Sequence, residues 1–185
     1  MKIALLLGFF LLLLGIGGYG ISTHNRLIAQ HEAVSGRWAQ VESQYQRRFD
    51  LIPNLVEAVK GSMKQETAVF GAIAEARTRY AGAQSIGEKA TTANQLDNAV
   101  SRLLVVMEQY PQLKSLEVVT SLMSQLEGTE NRIAVERQRF NEEVQRYNVA
   151  VKTFPTSIIA SIDNLTPIEY TKAESGAQTA PKVSF

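Results

Sequence analysis

Apolar residues recur along most of this chain at alternating spacings of three and four, the signature of helices that each bury one stripe. From Thr23 to Arg48 the stripe runs Leu27, Val34, Trp38, Val41 and Tyr45, with His31 and Arg48 on the same line. A second stripe runs Ile52, Leu55, Val59, Met63, Glu66, Phe70, Ile73, Arg77 and Tyr80. The small and polar run from Ala81 to Gly87 breaks that pattern and predicts a loop. A short third helix is predicted from about Thr92 to Gln109, with stripe Leu96, Val100, Leu103, Met107 and Tyr110. Pro111 ends it, because the residue before a proline is pushed out of the α region. The fourth stripe is Leu116, Val119, Met123, Leu126, Glu130, Ile133, Arg137, Phe140, Val144, Tyr147 and Val151. Capped by Ser115 and ending near Phe154-Pro155, it predicts a rod of about 39 residues, about 58 Å long.

The stretch from Arg47 to Glu57 predicts a corner between the first two helices. Asp50 is placed as an N-cap and Pro53 in the first turn of the second helix, where early N–H groups have no partner anyway. Gly36 weakens the first helix by about 1 kcal/mol relative to alanine, so packing must support it.

In front of these helices, residues 3–21 form an uncharged run of Leu, Ile, Phe and Gly. It covers roughly 28 Å as a helix, close to the ~30 Å of a bilayer's hydrocarbon core. A cleaved signal peptide is the competing reading. The run is longer than a signal core, and Gly18-Tyr19-Gly20 lacks the small-residue alanine pattern of a cleavage site. An uncleaved anchor is therefore expected. Lys2 in front is matched by Arg26 and Arg37 behind, so the charges leave its orientation undecided. From Asn164 to Phe185 the chain is polar and aperiodic, with Pro167 and Pro181, and is expected to be mostly disordered.

These patterns predict an all-α protein: an antiparallel four-helix bundle preceded by a single N-terminal transmembrane helix. The expected segments are an anchor over 1–22, the bundle over 23–160 and a tail over 161–185.

Composition narrows the function. The 19 basic and 18 acidic residues of this 185-residue chain are interspersed, so no basic face exists for nucleic acid. Cysteine is absent, which excludes disulfides, thiolate metal sites and cysteine catalysis. His24 and His31 are the only imidazoles, and His31 has no second histidine within a helical turn. There is no phosphate-binding glycine loop, nucleophile motif or Glu-x-x-His pair of the carboxylate metal bundles.

What does stand out is charge on stripes that should face a core: Arg48, Glu66, Arg77, Glu130 and Arg137. As a structural seam they would pair and set register. As a site they would line a polar pocket inside the bundle. Counting back along the helices places Arg77 level with Glu130, and that pair is the expected one. Asn54, Asn98, Asn131, Asn141 and Asn148 are expected to bond backbone, and Trp38, Tyr45, Tyr80, Tyr110 and Tyr147 to fill core.

Several blocks then resemble the LemA family. They are Trp38, Arg47 to Val56, Lys60-Gly61, Glu108-x-Tyr110-Pro111-x-Leu113-Lys114, and Glu127 to Ile133. The pairs Phe140-Asn141 and Tyr147-Asn148, and the ending Pro181 to Phe185, are similar as well, although the family usually has Tyr-Asn at the first pair. The resemblance implies a bacterial membrane-anchored protein whose soluble part is a four-helix bundle, and it implies no reaction.

The function expected from all of this is a non-enzymatic interaction or scaffold module, needing no cofactor or metal, in the bacterial cytoplasmic membrane. It would hold the lipid bilayer through residues 3–21 and meet other membrane or envelope proteins, or copies of itself. The alternative is an enzyme or small-ligand sensor built on Glu66, Arg77, Glu130 and Arg137.

Overall fold

The computed structural model describes residues 2–171, apart from the side chains of Ala4 and Lys114. Among these residues the fold is all-helical, without a strand. The helices are α1 (Lys2–Lys60), α2 (Thr67–Gly82), α3 (Ile86–Met107), α4 (Pro111–Lys114), α5 (Glu117–Lys152) and α6 (Thr156–Ile162).

The predicted corner at Asp50 and Pro53 is not there. α1 runs unbroken through both, with Pro53 inside the helix. The reason lies in the stripe, which continues in phase from Tyr45 through Phe49, Ile52, Leu55 and Val59, all buried. An interior proline costs about 3 kcal/mol, but burying each large apolar side chain contributes about 1.5–3 kcal/mol, so packing wins. Asp50 caps nothing: it is exposed and takes a hydrogen bond from Gln46 Nε2 at 2.9 Å, one turn back.

The chain turns instead at Gly61–Glu66. The N–H groups of Ser62 and Met63 both close onto the Val59 carbonyl, at 3.0 and 3.1 Å, and Met63 drops its side chain fully into the core. α3 begins earlier than its stripe predicts because Ser85 and Glu88 form a capping box. Ser115 does not cap α5; its hydroxyl donates back to the Gln112 carbonyl at 2.8 Å.

The described residues divide into two compact units, one from 2–37 with 139–170 and the other from 38–138 with 171. In the second, α2 packs against α3, and the core takes Tyr45, Ile52, Leu55 and Val59 of α1, Leu96 and Leu103 of α3, and Val119 of α5. Phe49 lies edge-on to Tyr80 with ring centroids 4.2 Å apart, and stacks near Tyr45 at 5.9 Å.

In the first unit, Thr23, Leu27 and Val34 of α1 share a core with Phe140, Val144, Tyr147 and Val151 of α5 and with Thr156 and Ala160 of α6. The fully exposed side of this unit is the apolar run of α1, the one helix among the described residues long and apolar enough to cross a membrane.

α6 closes with a tight cap. Asn164 takes φ 55°, Leu165 N–H donates to the Ala160 carbonyl at 2.9 Å, and Asn164 N–H donates to Ser161 at 3.3 Å. The following segment is held, where the sequence pattern predicts a loose tail. Asn148 donates to the Ile168 carbonyl and accepts from its N–H, both at 2.8 Å, while Tyr147 donates to the Thr166 carbonyl at 3.2 Å. The rest of the predicted tail, from 172, lies outside the described residues.

Candidate functional site

Of the charged stripe residues, Arg48 and Glu130 meet; Arg48 stands in the second unit with 6% of its surface exposed. α1 brings it inward because it follows Tyr45 by three positions, on the edge of the buried stripe. Its Nε lies 3.1 Å from Asp97 Oδ1 of α3, and its Nη1 donates to Glu130 Oε2 of α5. One guanidinium therefore joins three helices, the planar fork being suited to engaging two carboxylates at once. A second ion pair, Lys89 to Glu42, ties α3 to α1.

Arg77 is not part of this arrangement, and the predicted Arg77–Glu130 pair does not form. In α2 the buried positions are Ile73, Ala76 and Tyr80, which leaves Arg77 exposed. Arg48 takes its place. Arg137 is half-buried, and its positive charge acts on Tyr45. Glu66, half-buried, stands away at the start of α2 and takes a long hydrogen bond from the Tyr110 hydroxyl, 3.4 Å.

Two members of the site escaped sequence reasoning. Asp97 flanks the third stripe and carries no periodic signal of its own, yet it is buried. Tyr45 was placed as core, but its hydroxyl has no hydrogen-bond partner. Burial pushes its pKa up to about 12, with Asp97 and Glu130 adding to the rise and Arg137 and Arg48 opposing it. The phenol is thus held neutral, which removes it as a base or nucleophile at ordinary pH.

Beside Arg48 opens a cleft of about 680 Å³ between α3 and α5, lined chiefly by Val100, Leu104, Met123 and Leu126, with Glu127 and Glu130 among its acidic members. Among the described residues no three His, Asp or Glu side chains are gathered as a metal-binding group. The arrangement is a clasp of one guanidinium between two carboxylates, with an apolar cleft at its side.

Comparison with known proteins decides the family. A model described as "LemA family" matches residues 37–185. The chain belongs to the LemA family. It is also similar to magnetosome protein MamQ of Magnetospirillum gryphiswaldense, 25% identical over 80% of this chain and 64% of the relative. Magnetosome proteins MamQ 1 and MamQ 2 of Paramagnetospirillum magneticum are each 24% identical over 84% of this chain and 67% of the relative. The chain thus spans about two thirds of the length of these relatives.

The LemA-like blocks can now be given physical roles. Arg47 to Val56 contributes the guanidinium of the clasp, and Glu127 to Ile133 contributes Glu130. The Tyr147-Asn148 pair secures the segment after α6 through three hydrogen bonds. Tyr110-Pro111 starts α4, with the proline in its first turn.

Proposed function

We propose that this LemA-family protein is a non-enzymatic scaffold in the bacterial cytoplasmic membrane. The apolar part of α1 makes a single pass. Residues 38–60 of α1 with α2, α3 and the first half of α5 form an antiparallel four-helix bundle, which meets other membrane or envelope proteins or a second copy. The observation that carries this reading is that buried Arg48 is ion-paired with Asp97 and donates from Nη1 to Glu130 of the same chain. A guanidinium so paired ties α1 to α3 and α5 and fixes helix register. The names of the MamQ relatives point to an organelle rather than a reaction, in keeping with an assembly role.

A second reading, a small-ligand sensor, is favoured by the cleft alongside Arg48 and Glu130. One experiment separates the two. Arg48→Leu removes the buried cation paired with Asp97 and Glu130 and should cost about 3–5 kcal/mol in chemical unfolding of the detergent-solubilised chain. Arg48→Leu with Asp97→Leu should recover most of that loss and keep the natural pattern of cross-linked complexes in intact membranes. A well-folded double variant whose complexes vanish would make the clasp itself the contact site, and an unaltered chain that forms no complexes would defeat the scaffold reading.

A further inference from the structure

The tip of the first unit carries an apolar face in the wrong place for water. Phe154, Ile158 and Ile162 are spaced by four, on one side of the α5–α6 corner and α6, and are 76%, 51% and 70% exposed. The opposite side, packed inward, presents the small Thr156 and Ala160. A corner in water would do the reverse, with large apolar groups inside and small polar ones out. The ten residues 153–162 hold no charge and are bracketed by Lys152 and Asp163. Two of their four hydroxyls bond back to the helix: Thr153 donates to the Val149 carbonyl at 2.7 Å and Ser161 to the Ser157 carbonyl at 2.9 Å. Hydroxyls bonded to their own helix lower the cost of leaving water.

The position of this face says what covers it. A Cβ built on Gly20 of α1 would lie 3.9 Å from Ile159 Cδ1, and His24 Nδ1 is 2.7 Å from Asp163 Oδ2. α6 therefore lies alongside residues 20–24 of α1, at the level where the apolar run of 3–21 ends. That level is the boundary between acyl chains and headgroups when α1 crosses a bilayer.

We propose that Phe154, Ile158 and Ile162 form a second membrane contact, seated in the headgroup–acyl boundary of the bilayer that α1 spans. This rests on the spanning role given to α1. The contact resembles a short interfacial helix whose apolar face dips a few ångströms into the lipid. A helix alone can spin and tilt about its axis; a second point of contact beside it holds one face of the unit toward the membrane.

The test uses the full-length chain in phosphatidylcholine vesicles, with Trp38→Phe as background so that one introduced tryptophan reports. Phe154→Trp reports on the tip, and Leu12→Trp on the middle of the span. With lipids brominated high on the acyl chains, the emission of Phe154→Trp should drop about twofold, and less with bromine near the chain ends. Leu12→Trp should show the opposite depth preference. If Leu12→Trp is quenched by lipid bromine and Phe154→Trp only by aqueous iodide, the tip lies in water and the proposal falls while the span stands. Protection of Phe154→Trp from both quenchers would mean that protein covers the face, which also overturns it. A Leu12→Trp signal untouched by lipid bromine would instead defeat the spanning role of α1.

Discussion

Tyr45 holds its hydroxyl in the core without a hydrogen bond, next to a clasp made of Arg48, Asp97 and Glu130. Its pKa is raised to about 12 in the folded chain, against 10.0 for an ordinary tyrosine. Between those values the unfolded chain releases the phenol proton and the folded chain keeps it. Stability is therefore fully present below pH 10 and is lost as the pH rises from 10 through 12, by on the order of 2 kcal/mol. Burial raises the Tyr80 phenol in the same direction. Alkaline unfolding should accordingly set in above pH 10, with tyrosinate absorbance from the core appearing together with loss of helical circular dichroism. Tyr45→Phe should shrink that alkaline loss while leaving stability at neutral pH unchanged or slightly higher, since the deleted hydroxyl has no partner to lose. A variant that unfolds along the unaltered alkaline curve would contradict this account. Arg77 shows how the α2 stripe can be drawn in two ways. A stripe drawn through Ile73, Arg77 and Tyr80 and one drawn through Ile73, Ala76 and Tyr80 both fit a helix, and alanine gives no hydrophobic signal strong enough to choose. Arg48 and Glu130 were legible because large apolar neighbours fixed the phase around them. Asp97 was not, because a carboxylate beside a stripe looks the same whether it faces solvent or a guanidinium.

At the scale of elements, the local rule that proline opens a helix met a tertiary pattern that ran straight through it. Pro53 cannot donate to the Phe49 carbonyl, yet α1 continues because Phe49, Ile52 and Leu55 are all buried on one side. Pro53→Ala restores that hydrogen bond and removes the ring's clash, so it should stabilise the chain by about 1–3 kcal/mol in denaturant unfolding. Asp50→Ala, at an exposed position in mid-helix, should stay within about 0.5 kcal/mol. A loss of about 1 kcal/mol on Asp50→Ala with no gain on Pro53→Ala would restore the corner. Other elements were plain from sequence: the loop after α2, the stop before Pro111 and the long α5 all follow from periodicity and its interruption. The hold on residues after α6 was not, since it depends on one asparagine side chain meeting the backbone of Ile168 twenty positions away. Such a bond has no period to announce it.

For the whole molecule, the apolar run of α1 and the stripes of the later helices make the all-helical fold and the candidate anchor readable from the sequence. Partners leave no periodic signal, and the buried stripe charge Arg48 is paired with Glu130 of its own chain. Anchoring through α1 predicts that the protein stays pelleted with membranes after alkaline carbonate. Leu11→Arg with Leu12→Arg, two charges near the centre of the run, should release it, each arginine costing about 2.5–3.5 kcal/mol of insertion at the middle of a spanning helix. Retention of that double variant in the washed pellet would mean that something other than this helix holds the protein down.

The first unit joins residues 2–37 to residues 139–170, so its two halves leave the ribosome about a hundred residues apart. At ordinary elongation rates that gap is roughly 5–20 s. For that interval Leu27 and Val34 have no α5 or α6 to pack against, and their eventual partners Phe140, Val144 and Tyr147 do not yet exist. The apolar run ahead of them has an immediate alternative, because a spanning helix satisfies its own backbone and needs no later sequence to do so. The residues of the clasp around Arg48, at 48, 97 and 130, are all synthesised before residues 139–170, so the clasp can close before the first unit has its second half. Residues 2–37 thus wait longer for their tertiary neighbours than the residues of the clasp do.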